Sequence, residues 1–165
     1  MSLDYAEFLQ MAAVAGLPVN GRQTVFVSGA QAPNGLNTGN NQVAKVTIPG
    51  GTMGKNSMLR VVALFSFPNN TNTKTARVYF GGTVIYQAGF TANTLVKVEI
   101  EIQNRNSLTA QVVQGSTQAA PGNVSSPLVT LALDTTQDQL LEFYAQVGTA
   151  TDQMNLERYS VEVIG

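Results

Sequence analysis

The groups in this chain that could do chemistry are ten carboxylates and nine basic side chains, and it contains neither histidine nor cysteine. Without imidazole or thiol, the Ser-His-Asp triad, the cysteine nucleophile, the disulfide and the usual zinc ligand sets are excluded together. No G-x-S-x-G nucleophile elbow occurs either. Glycoside hydrolysis needs only two carboxylates, so the acids carry the remaining case for catalysis: Asp4, Glu7, Glu99, Glu101, Asp134, Asp138, Glu142, Asp152, Glu157 and Glu162. Glu99 and Glu101 alternate with apolar residues beside Lys97. To act as acid and base they would need burial or a charged partner that separates their pKa values. The spacing supplies neither, and the pattern reads as a solvated strand face. The segment LDTTQDQLLEF reads as a turn entering a strand, with Asp134 and Asp138 bonding nearby backbone.

Other ligand chemistries fare no better. The loop NGLNTGNN carries neutral amides where calcium loops concentrate carboxylates. PGGTMGKNS has a Gly-Lys pair but lacks the phosphate-loop spacing, and Asn56 follows Lys55 where Ser or Thr is required. The basic residues are dispersed and the net charge is −1, so no basic stripe exists to engage nucleic acid. The expectation is a non-enzymatic protein with no metal, no cofactor and no nucleic-acid partner.

These side chains are positioned by elements of two periods. In SLDYAEFLQMAAVAGLP, Tyr5, Phe8, Leu9 and Ala12 recur at helical spacing, Asp4 and Glu7 stand in capping-box relation, and Gly16 with Pro18 ends the run. From residue 23 the period becomes two. Strands are expected over 23–28, 43–48, 57–67, 75–81, 83–87, 95–103, 108–114, 128–133, 139–147 and 156–164. The clearest is LVKVEIEI, with Val96, Val98, Ile100 and Ile102 on the core side. Gly, Pro and Asn clusters punctuate the strands. The polar run PNNTNTKT, between apolar arms containing Arg60 and Arg77, reads as a long hairpin connection on adjacent strands, with Glu99 or Glu142 as acids those arginines could pair with.

The chain has 165 residues, of which 44% are hydrophobic and only 12% charged. That length fits one domain with a substantial core. The charged share is about half the usual one, so amides and hydroxyls must wet the surface. No apolar run approaches the roughly 20 residues that span a bilayer, so no membrane partner is expected. Ala13-Val14-Ala15 mimics a cleavage site, but Asp4 and Glu7 precede it with no basic residue, against a signal peptide. The sequons at Asn69 and Asn123 therefore read as chance.

The run IPGGTMGKNSMLRVVALFSFPNNTNTKTARVYFGGT, from Ile48 to Thr83, resembles a segment that recurs in structural proteins of tailed bacteriophages and prophages, and IQNRNS, from Ile102 to Ser107, resembles the turn that goes with it. The resemblance covers the central third to half of the chain. The many short, punctuated strands already argue for an all-β jelly-roll or β-sandwich of about eight to ten antiparallel strands after a short N-terminal helix; the resemblance implies a jelly-roll-like β module on a virion, commonly trimeric. Residues 1–45 would form the helix and an extended arm, and 46–165 the β domain. In that setting the protein is expected to be a capsid decoration (cement) protein, made in the host bacterial cytoplasm and placed on the virion surface, with the major capsid protein and its own copies as partners. The alternative is a receptor-binding tip of a tail fibre or another tail or baseplate component. For the cement reading the expected contacts are Tyr5, Phe8, Leu9 and Met11 on the helix and the stretch from Gly29 to Asn41; for the receptor-binding alternative they are the loop residues Asn70, Asn72, Lys74, Asn104 and Arg105. Saccharide recognition is disfavoured because the chain has no Trp and its Phe and Tyr residues lie in expected strands.

Overall fold

Eleven strands, and no helix, make up the regular structure of the described residues, 22–113 and 128–165, in the computed structural model. They are β1 (Arg22–Ser28), β2 (Ala32–Pro33), β3 (Asn41–Ile48), β4 (Met58–Ser66), β5 (Lys74–Phe80), β6 (Thr83–Phe90), β7 (Leu95–Asn104), β8 (Gln111–Val113), β9 (Val129–Leu131), β10 (Gln139–Val147) and β11 (Asn155–Ile164). The expected helix over 2–18 lies outside the described residues. No helix among the described residues is long and apolar enough to cross a membrane.

The strands form two antiparallel sheets, consistent with a β-sandwich. The larger runs β1-β11-β4-β7-β8-β9, with β2 also pairing β11, and the smaller runs β3-β10-β5-β6. Alternation fixes which side chains turn inward. In β4, Leu59, Val61, Ala63 and Phe65 are buried while their neighbours are half-exposed, and β7 buries Val98, Ile100 and Ile102 as expected. The smaller sheet answers with Ala76, Val78 and Phe80 from β5 and Leu141, Phe143, Ala145 and Val147 from β10. Phe143 of the smaller sheet meets Tyr159 of the larger at a ring-centroid distance of 4.9 Å. Each fully buried Phe or Leu contributes roughly 1.5–3 kcal/mol.

Two glycine pairs set the framework. Gly81 and Gly82 join β5 to β6 with φ of 55° and 77°, the positive values that a two-residue hairpin turn needs at both positions. At Gly50 a side chain is sterically barred, because a Cβ would stand 2.3 Å from the Thr136 carbonyl oxygen. Gly50 N–H donates to the Asp138 carboxylate at 2.8 Å and Gly51 N–H to the Thr135 carbonyl at 2.8 Å. These bonds bind the P-G-G loop to the turn before β10.

The run PNNTNTKT is not a hairpin. β4 belongs to the larger sheet and β5 to the smaller, so residues 67–73 cross the sandwich between them, and Arg60 and Arg77 lie on different sheets. A hairpin closes in two to five residues, and the surplus length here is the length of a crossover. The boundary drawn at 45/46 falls inside β3, which pairs β10, and β1 pairs β11 on the other sheet.

Candidate interaction surface

With both inner faces packed, the sheets present their outer faces and the loops at their ends. On the outer face of the smaller sheet, β5 and β10 place Arg77 opposite Tyr144, and Tyr79 opposite Glu142. The Tyr79 and Tyr144 rings lie 4.9 Å apart, tilted by 58°. Arg77 spreads its guanidinium over three neutral acceptors: Nε donates to Gln87 at 2.8 Å, and Nη1 to Asn40 at 2.9 Å and Gln146 at 2.8 Å. Gln42 donates to Glu142 at 2.5 Å. Burial, followed by the neighbouring Glu142 charge, holds the Tyr144 phenol above its ordinary pKa. Tyrosines and an arginine framed by amides have the composition of an interface centre.

The outer face of the larger sheet is built differently. Arg60 Nε donates to Glu99 at 2.8 Å, and its Nη2 bonds the same oxygen. Lys97 stands 3.1 Å from Glu99, and Glu162 lies 3.9 Å from Arg60. The hydrogen bonds from Arg60 and then Lys97 keep the Glu99 carboxyl below its usual range. Glu99 is thus held ionised, the opposite of what a general acid needs. Beside this ladder run apolar positions: half-exposed Val62 and Leu64, then Val27 and Leu95, which are 72% and 55% exposed.

Asp134 and Glu157 also have structural partners. Asp134 accepts from the Thr136 N–H at 3.0 Å and hydroxyl at 2.6 Å, as its turn role predicts. Glu157 accepts from Ser66 and from Gln31 at 2.9 Å, which lowers its pKa. Among the described residues, no group of three or more acids is placed to hold a metal ion.

The crossover loop holds the surprise. Lys74, expected at an exposed tip, is fully buried, and this corrects its reading as a surface contact. Its ammonium donates to the Asn70 side-chain oxygen, to the Asn70 carbonyl at 3.4 Å and to the Thr91 carbonyl at 3.5 Å. Asp152, also buried, lies 3.9 Å away. The same carboxylate accepts from Asn70 at 2.9 Å and Asn72 at 3.1 Å. Phe67 and Phe90, stacked 5.5 Å apart, wall the cluster, with the Lys74 nitrogen 6.0 Å from the Phe67 ring centre. A buried charge survives only when paired and hydrogen-bonded, and this cluster meets both conditions. Asn70 and Asn72 are half-buried and turned inward to it.

Asn104 is likewise buried. Its amide donates to the Gly54 carbonyl at 2.8 Å and to Thr135 at 3.1 Å, and it accepts from Gln111 at 2.9 Å. The Q-N-R turn and the P-G-G loop, far apart in sequence, are joined through this side chain. Arg105 next to it is exposed, as is most of the stretch from Gly29 to Asn41. Tyr5, Phe8, Leu9 and Met11 lie outside the described residues. Sequence reasoning missed Tyr79, Tyr144, Gln42 and Glu142 as a surface group. Their signal was the outward half of the alternation in TARVYF and QLLEFYAQV. No family model matches this chain, and no curated protein does.

Proposed function

We propose that this protein is a non-enzymatic structural component of a bacteriophage virion, a jelly roll that trimerises and decorates the capsid as a cement protein. The observation that carries the reading is the pairing order. Setting aside the short β2, β8 and β9, the eight long strands pair first with last: β1 with β11, β3 with β10, β4 with β7 and β5 with β6. That is one antiparallel ribbon of four paired segments, and further contacts of β4 with β11 and of β5 with β10 wind it into two sheets. An eight-stranded double sheet of this kind is the jelly-roll plan, and it is the fold that the bacteriophage resemblance implies.

The motif residues behind that resemblance support the same reading, because they build the scaffold. Gly50, Gly81 and Gly82 shape turns, and Asn104 ties two loops together. The acids support a non-enzymatic role, since Glu99, Asp134 and Glu157 are engaged in ion pairs or hydrogen bonds that serve the fold. Contact with the shell falls to the outer sheet faces, the exposed loops and the N-terminal segment with Tyr5, Phe8, Leu9 and Met11. Many copies, each bound modestly, reinforce a shell through multivalency.

Electron microscopy of virions decorated with a labelled antibody fragment tests the location. Label scattered over the head is expected, and label confined to the tail would overturn the capsid reading. Sedimentation equilibrium tests the trimer: the mass of three chains is expected, and a monomer at micromolar concentration removes that part. A second reading, a receptor-binding tip, is favoured by the Tyr79–Tyr144–Arg77 face. It predicts that purified protein binds host cells and that Tyr79→Ala with Tyr144→Ala abolishes this binding.

A further inference from the structure

Around Lys74 the structure assembles an amine, a carboxamide, a carboxylate and a backbone donor, all within hydrogen-bonding or ion-pairing reach. The Asn70 carboxamide sits at the centre. Its oxygen side faces the Lys74 amine, and the same oxygen accepts the Asn72 backbone N–H at 3.0 Å. Its nitrogen side donates to Asp152 Oδ1 at 2.9 Å, while Asp152 Oδ2 lies 3.9 Å from the Lys74 nitrogen. These are the parts of an acyl transfer: a nucleophile, an acid-base group that reaches both the nucleophile and the leaving nitrogen, and a donor on the carbonyl oxygen. Phe67 and Phe90 help exclude the water that would compete.

We infer that Lys74 and Asn70 become joined by an intramolecular isopeptide bond, with Asp152 carrying the protons. The Lys74 ammonium gives one proton to the Asp152 carboxylate. The neutral amine keeps two N–H groups, matched by the Asn70 and Thr91 carbonyls that its ammonium already engages, and its lone pair then faces the carboxamide. Attack of Nζ on Cγ forms the new C–N bond and pushes an electron pair onto the oxygen, where the Asn72 N–H stabilises it. The oxygen pair returns as the old C–N bond breaks, and Asp152 hands its proton to the departing nitrogen. The attacking nitrogen sheds its extra proton to that nitrogen as well. The balance is one ammonium and one carboxamide in, one secondary amide and one ammonium ion out, with no oxidant or reductant. The two residues are four apart in sequence, a span their side chains cover. The product is a covalent ring over residues 70–74, fixing the end of the crossover where it enters β5, in a chain that has no cysteine.

Intact mass spectrometry of the purified full-length protein decides the matter without a variant. The expected mass, after any loss of the initiator methionine, is lower than the sequence mass by one ammonia. In a tryptic digest the bond blocks cleavage after Lys74, giving a peptide from Val61 to Arg77 that is lighter by one ammonia. Fragmentation of that peptide should yield no backbone ions separating residues 70 to 74. A full sequence mass, or a loss that maps elsewhere such as Asn34-Gly35, overturns the inference. Asp152→Asn and Asn70→Ala should each restore the full mass expected for the variant, and cleavage after Lys74. A bond that still forms in Asp152→Asn removes the proton-carrying role.

Discussion

Two ionic clusters in this molecule look alike on paper and differ in what they can do. On the larger sheet, Arg60, Glu99, Lys97 and Glu162 form a ladder in contact with water, with Lys97 55% exposed and Glu99 33%. At the crossover, Lys74 and Asp152 are sealed in, at 0% and 8%. In water the attraction between such charges is screened and offset by side-chain entropy, so the ladder shapes a surface more than it stabilises a fold. Inside, the pair must offset the cost of leaving water, and removing one member strands the other. Similar residue types are thus decorative in one place and structural in the other, and burial decides which.

Asp152→Ala should break this contrast most visibly. It leaves the buried Lys74 nitrogen without its carboxylate and, on the inference above, without its bond to Asn70, so at least about 3–5 kcal/mol of stability should be lost, read from the midpoint of urea unfolding. Next comes Asn104→Ala, which removes the bonds to Gly54, Thr135 and Gln111 from a buried neutral network and should cost about 1–3 kcal/mol. Glu99→Gln should change stability by less than about 1 kcal/mol, and 1 M salt should erase even that. A Glu99→Gln loss as large as that of Asp152→Ala would mean that the ladder is not solvated. The smallest effect is in pH. Because the folded state lowers the Glu99 pKa from 4.5, its contribution is fully present above that value and fades as pH falls through the lower folded value. Glu99→Gln should remove this fraction of the acid sensitivity in parallel urea titrations.

The strands were legible because period-two alternation is imposed by the pleat itself, and LVKVEIEI states its inward and outward sides without ambiguity. β2 was not legible, since Ala32 and Pro33 are too few residues to show a period. Alternation says which way a side chain points but not which strand lies beside it. The PNNTNTKT run was therefore given the wrong partner strand, while its excess length already argued against a hairpin. Lys74 was misread for a related reason. A lysine after a polar loop is ordinarily exposed, and only the chain fold brings Asp152 to it from a distant turn. Of the expected contact residues, Arg105 stands exposed, whereas Asn70 and Asn72 are turned toward Asp152.

The pairing of β1 and β4 with β11 also has a consequence for how the chain is made. Contacts between such distant strands are slow to form, and here they cannot form until the ribosome has released β11. Until then β4 lacks a neighbour on one side, and its apolar residues have no complete sheet to join. A chain that stops before β11 leaves the edges of β1 and β4 open, which exposes it to aggregation and proteolysis. Only copies that include β11 can complete the larger sheet, and that screening is done by the topology itself.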